Sequence, residues 1–131
     1  MKYMLMMTCP KSGYETFGAW PQEDLQAHIR FMVAFSRSLK EAGVLVASEG
    51  LASPAEAKRV RAAADGTALV DSGFAEAKEY LSGFWIVEVQ SATEAYTIAA
   101  RASAAPGKGG VPMNMPIEVR QIPAGPPQDL R

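Results

Sequence analysis

The feature that most constrains the fold is an N-terminal run that is apolar on both of its alternating sides. In an extended strand, successive residues of KYMLMMT (residues 2–8) point to opposite faces of the sheet. Large apolar groups occupy both sides: Tyr3, Leu5 and Met7 on one, Met4 and Met6 on the other. A strand of this kind is typical of a sheet that is covered on both faces. The run therefore predicts a central strand with a layer on each side.

The amino-acid composition limits how much of the sheet one chain can bury with its own apolar side chains. The chain has 131 residues, which suits one domain, and a chain of this length buries roughly two thirds of its extended surface on folding. Apolar residues make up 48% of it, but 22 residues are alanine, so large apolar side chains are few. We expect one domain over residues 1–122 and a flexible Pro- and Gly-containing tail over residues 123–131. We also expect a homodimer through sheet faces, or a small-molecule ligand, to cover the remaining apolar surface.

Two segments have helical patterns. Apolar residues recur on one side of a helix over residues 22–42, and Gly43 provides a C-terminal stop. Ser91 and Glu94 form a capping box at the start of a second helix that runs to about residue 103. Its predicted buried stripe consists of Ala92, Ala95, Tyr96, Ala99 and Ala102.

Strand patterns complete the predicted fold. Further strands are expected over residues 44–48, 80–90 and 117–122, and Asp65-Gly66 predicts an inserted β-hairpin formed by residues 58–63 and 67–71. Without the hairpin, the order is strand, helix, strand, strand, helix, strand. This order is typical of the α+β class and of its ferredoxin-like (split βαβ) motif. Both helices would cover one face of the sheet and leave the other to a second copy or a ligand.

Charge and residue counts exclude several classes of function. Thirteen Lys and Arg residues against fourteen Asp and Glu residues give a net charge of −1, so we expect no nucleic-acid and no anionic-membrane partner. One cysteine and one histidine rule out an internal disulfide and the common zinc sites, and we predict neither a metal nor a cofactor. No long apolar run or signal peptide is evident, so a cytoplasmic location is expected.

Several separated motifs resemble the DGPF-domain branch of the YCII-related family. They are VLV (44–46), EGL (49–51), Arg61, DSGFAEAKE (71–79), GFW (83–85) and IEVR (117–120). The resemblance implies a ferredoxin-like fold that pairs through its sheets into a dimeric α/β barrel, with a cleft between sheet and helices. It implies no settled activity. By family analogy alone, it also suggests an association with sigma factors, and distant relatives suggest acid–base enzymes with a His and Asp pair.

The sequence departs from the motif that names this branch. Ser72 and Gly73 stand where the family has Gly and Pro, which removes the proline that would make the turn rigid. Asp71 and Phe74 match the motif, as do Glu76 and Lys78. The resemblance therefore carries these four positions over as candidate site residues.

His28 is the first candidate for chemistry. It falls in the middle of the apolar arc of the first helix, and a buried imidazole near a carboxylate can act as an acid or base near neutral pH. We predict Asp71 as its partner, with both residues catalytic. The alternative is a core histidine that makes one structural hydrogen bond.

A charged cluster is the second candidate. Arg61, Phe74, Glu76 and Lys78 are predicted to bind a ligand, with the two cations available for an anionic group. The alternative is a loop held by ion pairs and an Asp turn cap. Cys9 lacks a partner base and is expected to be inert, and the segment around Lys108 is expected to be a flexible connector, because it does not lead from a strand into a helix.

Two functions follow from these observations. The first is a dimeric small-ligand-binding or regulatory domain, in which Trp20 could help to close the cleft. The second is a small cofactor-free acid–base enzyme, lyase-like or dehalogenase-like, that uses His28 and Asp71.

Overall fold

A computed structural model describes residues 1–10, 18–71 and 79–125. Its strands and helices follow the predicted order, with boundaries that differ by a few residues. The elements are β1 (Lys2–Pro10), α1 (Gln22–Glu41), β2 (Leu45–Gly50), β3 (Arg59–Ala62), β4 (Ala68–Asp71), β5 (Glu79–Glu88), α2 (Ala92–Ser103) and β6 (Ile117–Ile122).

The main sheet has four antiparallel strands in the order β2-β5-β1-β6. Strand β1 lies in the interior between β5 and β6, as its two apolar sides predict. Strands β3 and β4 form a separate two-stranded sheet. The chain is thus an α+β protein with an inserted hairpin, and its topology is compatible with a ferredoxin-like fold.

The helices pack on one face of the main sheet. Leu5 of β1 and Val87 of β5 are completely buried there, together with Phe35 and Leu39 of α1. The ring of Phe35 meets Trp85 edge to face, with centroids 5.4 Å apart. The Trp85 indole also donates a hydrogen bond to Ser36 Oγ at 3.2 Å. Burial of these large side chains on one face supplies most of the hydrophobic core.

The other face of the sheet, here called the outer face, presents Met4, Met6, Phe84 and Ile86. The strand registers place Met4 beside Ile86 and Met6 beside Phe84. All four side chains are half-buried, and none belongs to the hydrophobic core cluster found among the described residues. The helices therefore cover one side of the sheet only, as the sequence order predicts.

The two helices begin differently. Helix α2 has the predicted capping box: Glu94 N donates to Ser91 Oγ at 3.2 Å, and Gln90 N donates to a Glu94 carboxylate oxygen at 2.9 Å. Helix α1 follows Pro21 and has no side-chain cap. It ends before Gly43, whose φ of 75° is left-handed, as expected for a helix stop.

The buried stripe of α2 differs from the prediction at Tyr96, and Ala92 is only partly buried. Ala95, Ala99 and Ala102 are buried as predicted, but Tyr96 is 56% exposed and Ile98 is buried instead. The buried residues, at positions 95, 98, 99 and 102, lie on one side of the helix. Tyr96 projects to the side of this buried stripe. The prediction for Tyr96 is wrong because alanine carries too little hydrophobicity to define the edge of the stripe.

The hairpin stands apart from the main core. Val60 pairs with Val70 across the hairpin, and every residue of the two strands is exposed. At the turn, Gly66 adopts a φ of 87°, which a glycine accommodates without strain. No helix among residues 1–10, 18–71 and 79–125 has the length and apolar character needed to cross a membrane.

Candidate functional site

A cleft of about 340 Å³ lies where the helix-covered face of the sheet reaches the start of α1. Its walls come from the end of β1, the start of β5, the N-terminal half of α1 and the segment before β6. The lining residues are Met7, Thr8, Cys9, Pro10, Trp20, His28, Glu79, Ser82, Met113, Met115 and Pro116. Most of these side chains are apolar, and the polar groups lie among them.

A β-bulge shapes the sheet side of the cleft. The register of β1 against β5 shifts between Met7, which pairs with Gly83, and Thr8, which pairs with Leu81. The extra residue is Ser82, whose hydroxyl donates to the Met7 carbonyl at 2.8 Å. A bulge bends and twists a strand, and such irregularities are common beside binding sites.

His28 is 6% exposed and lines the cleft from α1. Its Nδ1 lies 3.0 Å from the carbonyl oxygen of Pro106. Because a carbonyl only accepts, Nδ1 is the nitrogen that carries the proton, and Nε2 is the acceptor of the neutral ring. The Trp20 ring packs edge to face against the imidazole, with centroids 5.8 Å apart. The predicted burial of His28 is confirmed.

The segment over residues 105–116 is more ordered than a flexible connector. Gly107 N donates to Val111 O at 2.7 Å, and Met113 N donates to Ala105 O at 2.9 Å. The Ser103 hydroxyl donates to Met115 O, which ties the segment to α2. The expectation of a flexible connector is wrong, because these hydrogen bonds link residues that show no periodic pattern in the sequence.

The same segment is attached to α1 at two points. Gly109 N donates to an Asp24 carboxylate oxygen at 3.0 Å, and His28 donates to the Pro106 carbonyl. Gly107 lies between these points, where a Cβ atom would be only 2.8 Å from Met113 Cγ and 3.5 Å from Trp20 Cη2. A side chain at this position would force Met113 or the backbone to move, so the segment packs closely on Trp20 and Met113.

Two neighbouring groups define the electrostatics of the sheet-side rim. Cys9 is half-buried, and its pKa is raised mainly by burial and further by the negative charge of Glu79. A thiol with a raised pKa is a poor nucleophile, as expected for an inert cysteine. Among the described residues that line the cleft, Glu79 is the one carboxylate, and no lysine or arginine is present.

The structure places the predicted site residues in different regions. His28 lines the cleft, whereas Arg61 and Asp71 are exposed on the hairpin. They line a separate groove of about 300 Å³ together with Arg59 and Val60. Asp71 does not appear among the described residues that line the cleft. Pairing of Asp71 with His28 therefore stays a prediction.

The other three predicted ligand-binding residues, Phe74, Glu76 and Lys78, lie outside the described residues. Their predicted role stays a prediction. Within the described parts of the chain, no group of three or more His, Cys, Asp or Glu side chains is arranged to hold a metal ion.

The sequence reasoning missed several cleft residues. Glu79 is the last residue of the DSGFAEAKE motif (71–79), and its pairing with Pro10 places it beside the end of β1. Met113 and Met115 alternate in a stretch between two prolines, which is the one sequence signal that they share a side of an extended segment.

The comparison with known proteins identifies the family. Residues 1–117 match the YCII-related domain. An uncharacterized protein of Rhizobium meliloti (strain 1021) is 35% identical over 81 residues, which correspond to 62% of this chain and 65% of that protein. The matched region therefore spans slightly less than two thirds of the relative's length. Assignment to the DGPF branch stays a prediction, and no specific activity is established for the family match. The chain belongs to the YCII-related family.

Proposed function

We propose that this YCII-related protein is a small-ligand-binding domain and that the ligand occupies the cleft beside Trp20 and His28. The observation that carries the proposal is a mainly apolar cavity of about 340 Å³ with a few polar groups among its walls. This combination is typical of small-molecule sites, which range from roughly 300 to 1,000 Å³. The volume suits a compact ligand, such as one ring with a short substituent.

Contacts among the residues that line the cleft support the same proposal. Trp20 packs on His28, His28 is hydrogen-bonded to the Pro106 carbonyl, and Met113 packs against Gly107. A ligand that enters such a site immobilises few additional side chains, so less of its contact energy is lost to ordering. The methionines add adaptable, polarizable surface that can fit ligands of several shapes.

The two tryptophans of the chain provide a direct test. Trp20 lines the cleft, whereas Trp85 lies in the core. In Trp85→Phe, Trp20 is the remaining indole, and we expect phenethyl alcohol to change its fluorescence in a saturable way. In Trp20→Phe, the remaining Trp85 should respond little. Equal responses in both variants, or no saturable response in Trp85→Phe, would contradict binding at the cleft.

The outer face supports a proposal about assembly. Met4, Met6, Phe84 and Ile86 form an apolar surface on two adjacent central strands. Together with the family resemblance, this surface favours a homodimer that pairs through the outer faces into a dimeric α/β barrel. A closely packed pair of sheets would bury these side chains and leave the cleft, on the opposite face, accessible.

Sedimentation velocity tests the dimer. We expect the wild-type protein to have a molecular mass in solution of twice the 14.0 kDa mass of one chain. Phe84→Asp should shift the protein towards the monomer, because the substitution would bury a charge at the interface. Ile29→Asp is the matched control, since Ile29 is 51% exposed on the outside of α1. A wild-type monomer at micromolar concentration would exclude this assembly.

An acid–base enzyme is a second candidate, and one observation favours it. The Pro106 carbonyl accepts a hydrogen bond from Nδ1 of His28 and so orients the imidazole at the cleft, and histidine is the side chain that most often serves as a general acid or base. The predicted partner, Asp71, would have to reach the ring from the exposed hairpin.

The ring nitrogens of His28 report on this pairing. If Asp71 contacts the imidazole, Asp71→Asn will change the nitrogen chemical shifts of the ring, whereas Asp65→Asn at the hairpin turn will not. Unchanged shifts in Asp71→Asn would exclude the His28 and Asp71 pair and leave the ligand-binding proposal intact.

A further inference from the structure

We propose that the cleft selects ligands with a compact apolar or aromatic body and one positive charge, and that Glu79 is the residue that sets this charge preference. This inference rests on the proposed function, because it specifies the class of ligand for the same cleft. It concerns specificity, and it applies whether the bound molecule is only held or is also transformed.

The side chains of the cleft give the first argument. Among the described lining residues, Glu79 carries the one carboxylate, and no lysine or arginine is present. An anionic ligand would lose water and meet the negative charge of Glu79, and the described lining residues offer it no lysine or arginine. A cationic ligand would instead form a charge-assisted hydrogen bond with the carboxylate.

The position of Glu79 is fixed by the sheet. It is the first residue of β5 and pairs with Pro10, while its neighbour Tyr80 pairs with Cys9. The backbone ladder therefore fixes the Glu79 backbone beside the end of β1, and its exposed side chain can meet an entering ligand. The charge also acts on the cleft wall, because the Glu79 carboxylate helps to raise the pKa of the Cys9 thiol.

The apolar wall gives the second argument. Trp20 and the thioethers of Met7, Met113 and Met115 line the cleft together. Thioether sulfurs make favourable contacts with aromatic rings, and an indole face attracts cations. An aromatic amine satisfies both properties at once: its ring can lie among the methionines while its ammonium group reaches Glu79.

Three probes of similar size test the charge preference. They are phenethylamine, phenethyl alcohol and phenylacetate, which are positive, neutral and negative at about pH 8, where an ordinary imidazole is neutral. Their dissociation constants are measured by Trp20 fluorescence in Trp85→Phe at low salt. We expect the amine to bind about tenfold more tightly than the carboxylate, with the alcohol between them.

Glu79→Gln in the same background assigns the preference to one side chain. The amide keeps the size of the carboxylate and removes its charge, so the amine and the alcohol should then bind within about twofold of each other. Binding of the neutral alcohol should stay unchanged. Glu41→Gln is the matched control, because Glu41 is exposed at the end of α1 and does not line the cleft. It should retain the preference for the amine.

Each other outcome overturns a different statement. Tighter binding of phenylacetate would overturn the preference for a positive charge while the cleft remains a ligand site. A preference for the amine that survives in Glu79→Gln would overturn the role of Glu79. A saturable response to none of the three probes would overturn the proposed function itself, and with it this inference. Thermal denaturation of each variant checks that the fold is retained.

Discussion

The two faces of the main sheet are built from neighbouring residues of the same strands, yet they meet different surroundings. On β1, Leu5 is completely buried under the helices, whereas the next residue, Met6, is half-buried on the outer face. On β5, Trp85 belongs to the core and Phe84 does not. Both faces are apolar, so hydrophobicity alone does not reveal which face the chain covers by itself. The helix connections decide it.

The cleft lies at the end of β1, where the helices no longer bury this face of the sheet completely. Farther along β1 the side chains on that face are Met7 and Cys9, which are half-buried and line the cleft, in contrast to the completely buried Leu5. The core and the cleft therefore occupy one continuous face of the sheet. The ligand specificity that we propose would be set at the edge of this face, whereas the buried core lies at its centre.

The largest expected effect tests the difference between the two faces. Leu5→Ala should lower the free energy of unfolding by about 2 to 5 kcal/mol, because it leaves a cavity at a completely buried position of the core. Met6→Ala on the outer face should cost clearly less in a dilute sample. Urea denaturation monitored by circular dichroism measures both values.

The dependence on protein concentration sharpens this comparison. If a second copy covers the outer face, the cost of Met6→Ala will rise with protein concentration, because association adds to the apparent stability. The cost of Leu5→Ala relative to wild type should not rise in that way. Equal costs for both substitutions in a sample shown to be monomeric would refute the description of the outer face as uncovered.

The sequence predicts the sheet and helices because their signals are local. The alternation of β1, the capping box of α2 and the stop at Gly43 each lie within a few residues and appear in the structure as expected. Burial of His28 is also predictable, since its helical neighbours at positions 32 and 35 are apolar.

The site is less predictable because it depends on contacts between distant parts of the chain. The hydrogen bond between His28 and Pro106 joins residues 78 positions apart, and neither residue carries a signal for the other. Glu79 reaches the cleft through its pairing with Pro10 and through a register shift that no alternation pattern encodes. Family resemblance directed attention to Asp71 and Arg61, which the structure places on the exposed hairpin.

A medium-sized effect is expected at the edge between core and cleft. Gly107→Ala would place a methyl group 2.8 Å from Met113 Cγ, so Met113 or the backbone must move. Overpacking of this kind typically costs about 1 to 3 kcal/mol. We also expect weaker binding of phenethyl alcohol, because Trp20 and Met113 both line the cleft.

Gly50→Ala provides the control for this substitution. Gly50 also lies in an ordered element, at the end of β2, and a Cβ atom there would meet nothing within 4 Å. Its effect on unfolding should be within about 0.5 kcal/mol. If Gly107→Ala were equally neutral and left binding unchanged, the close packing of residues 105–116 on Trp20 would not be needed for the cleft.

The smallest effect is expected in the hairpin, where every residue of both strands is exposed. The Asp65 carboxylate accepts hydrogen bonds from the Thr67 hydroxyl at 2.7 Å and from the Thr67 amide at 3.0 Å, and these bonds lower the pKa of Asp65 from its ordinary value of 3.8. Since the pKa is lower in the folded state, the stabilisation is present above pH 3.8 and is lost as the pH falls through the folded-state pKa.

Thr67→Val removes the hydroxyl, which is the larger cause of the lowered pKa, so the carboxyl resonance of Asp65 should titrate at higher pH. Thr67→Ser keeps the hydroxyl and should titrate like wild type. An identical midpoint in wild type and Thr67→Val would show that the bond from the Thr67 hydroxyl does not lower the pKa of Asp65.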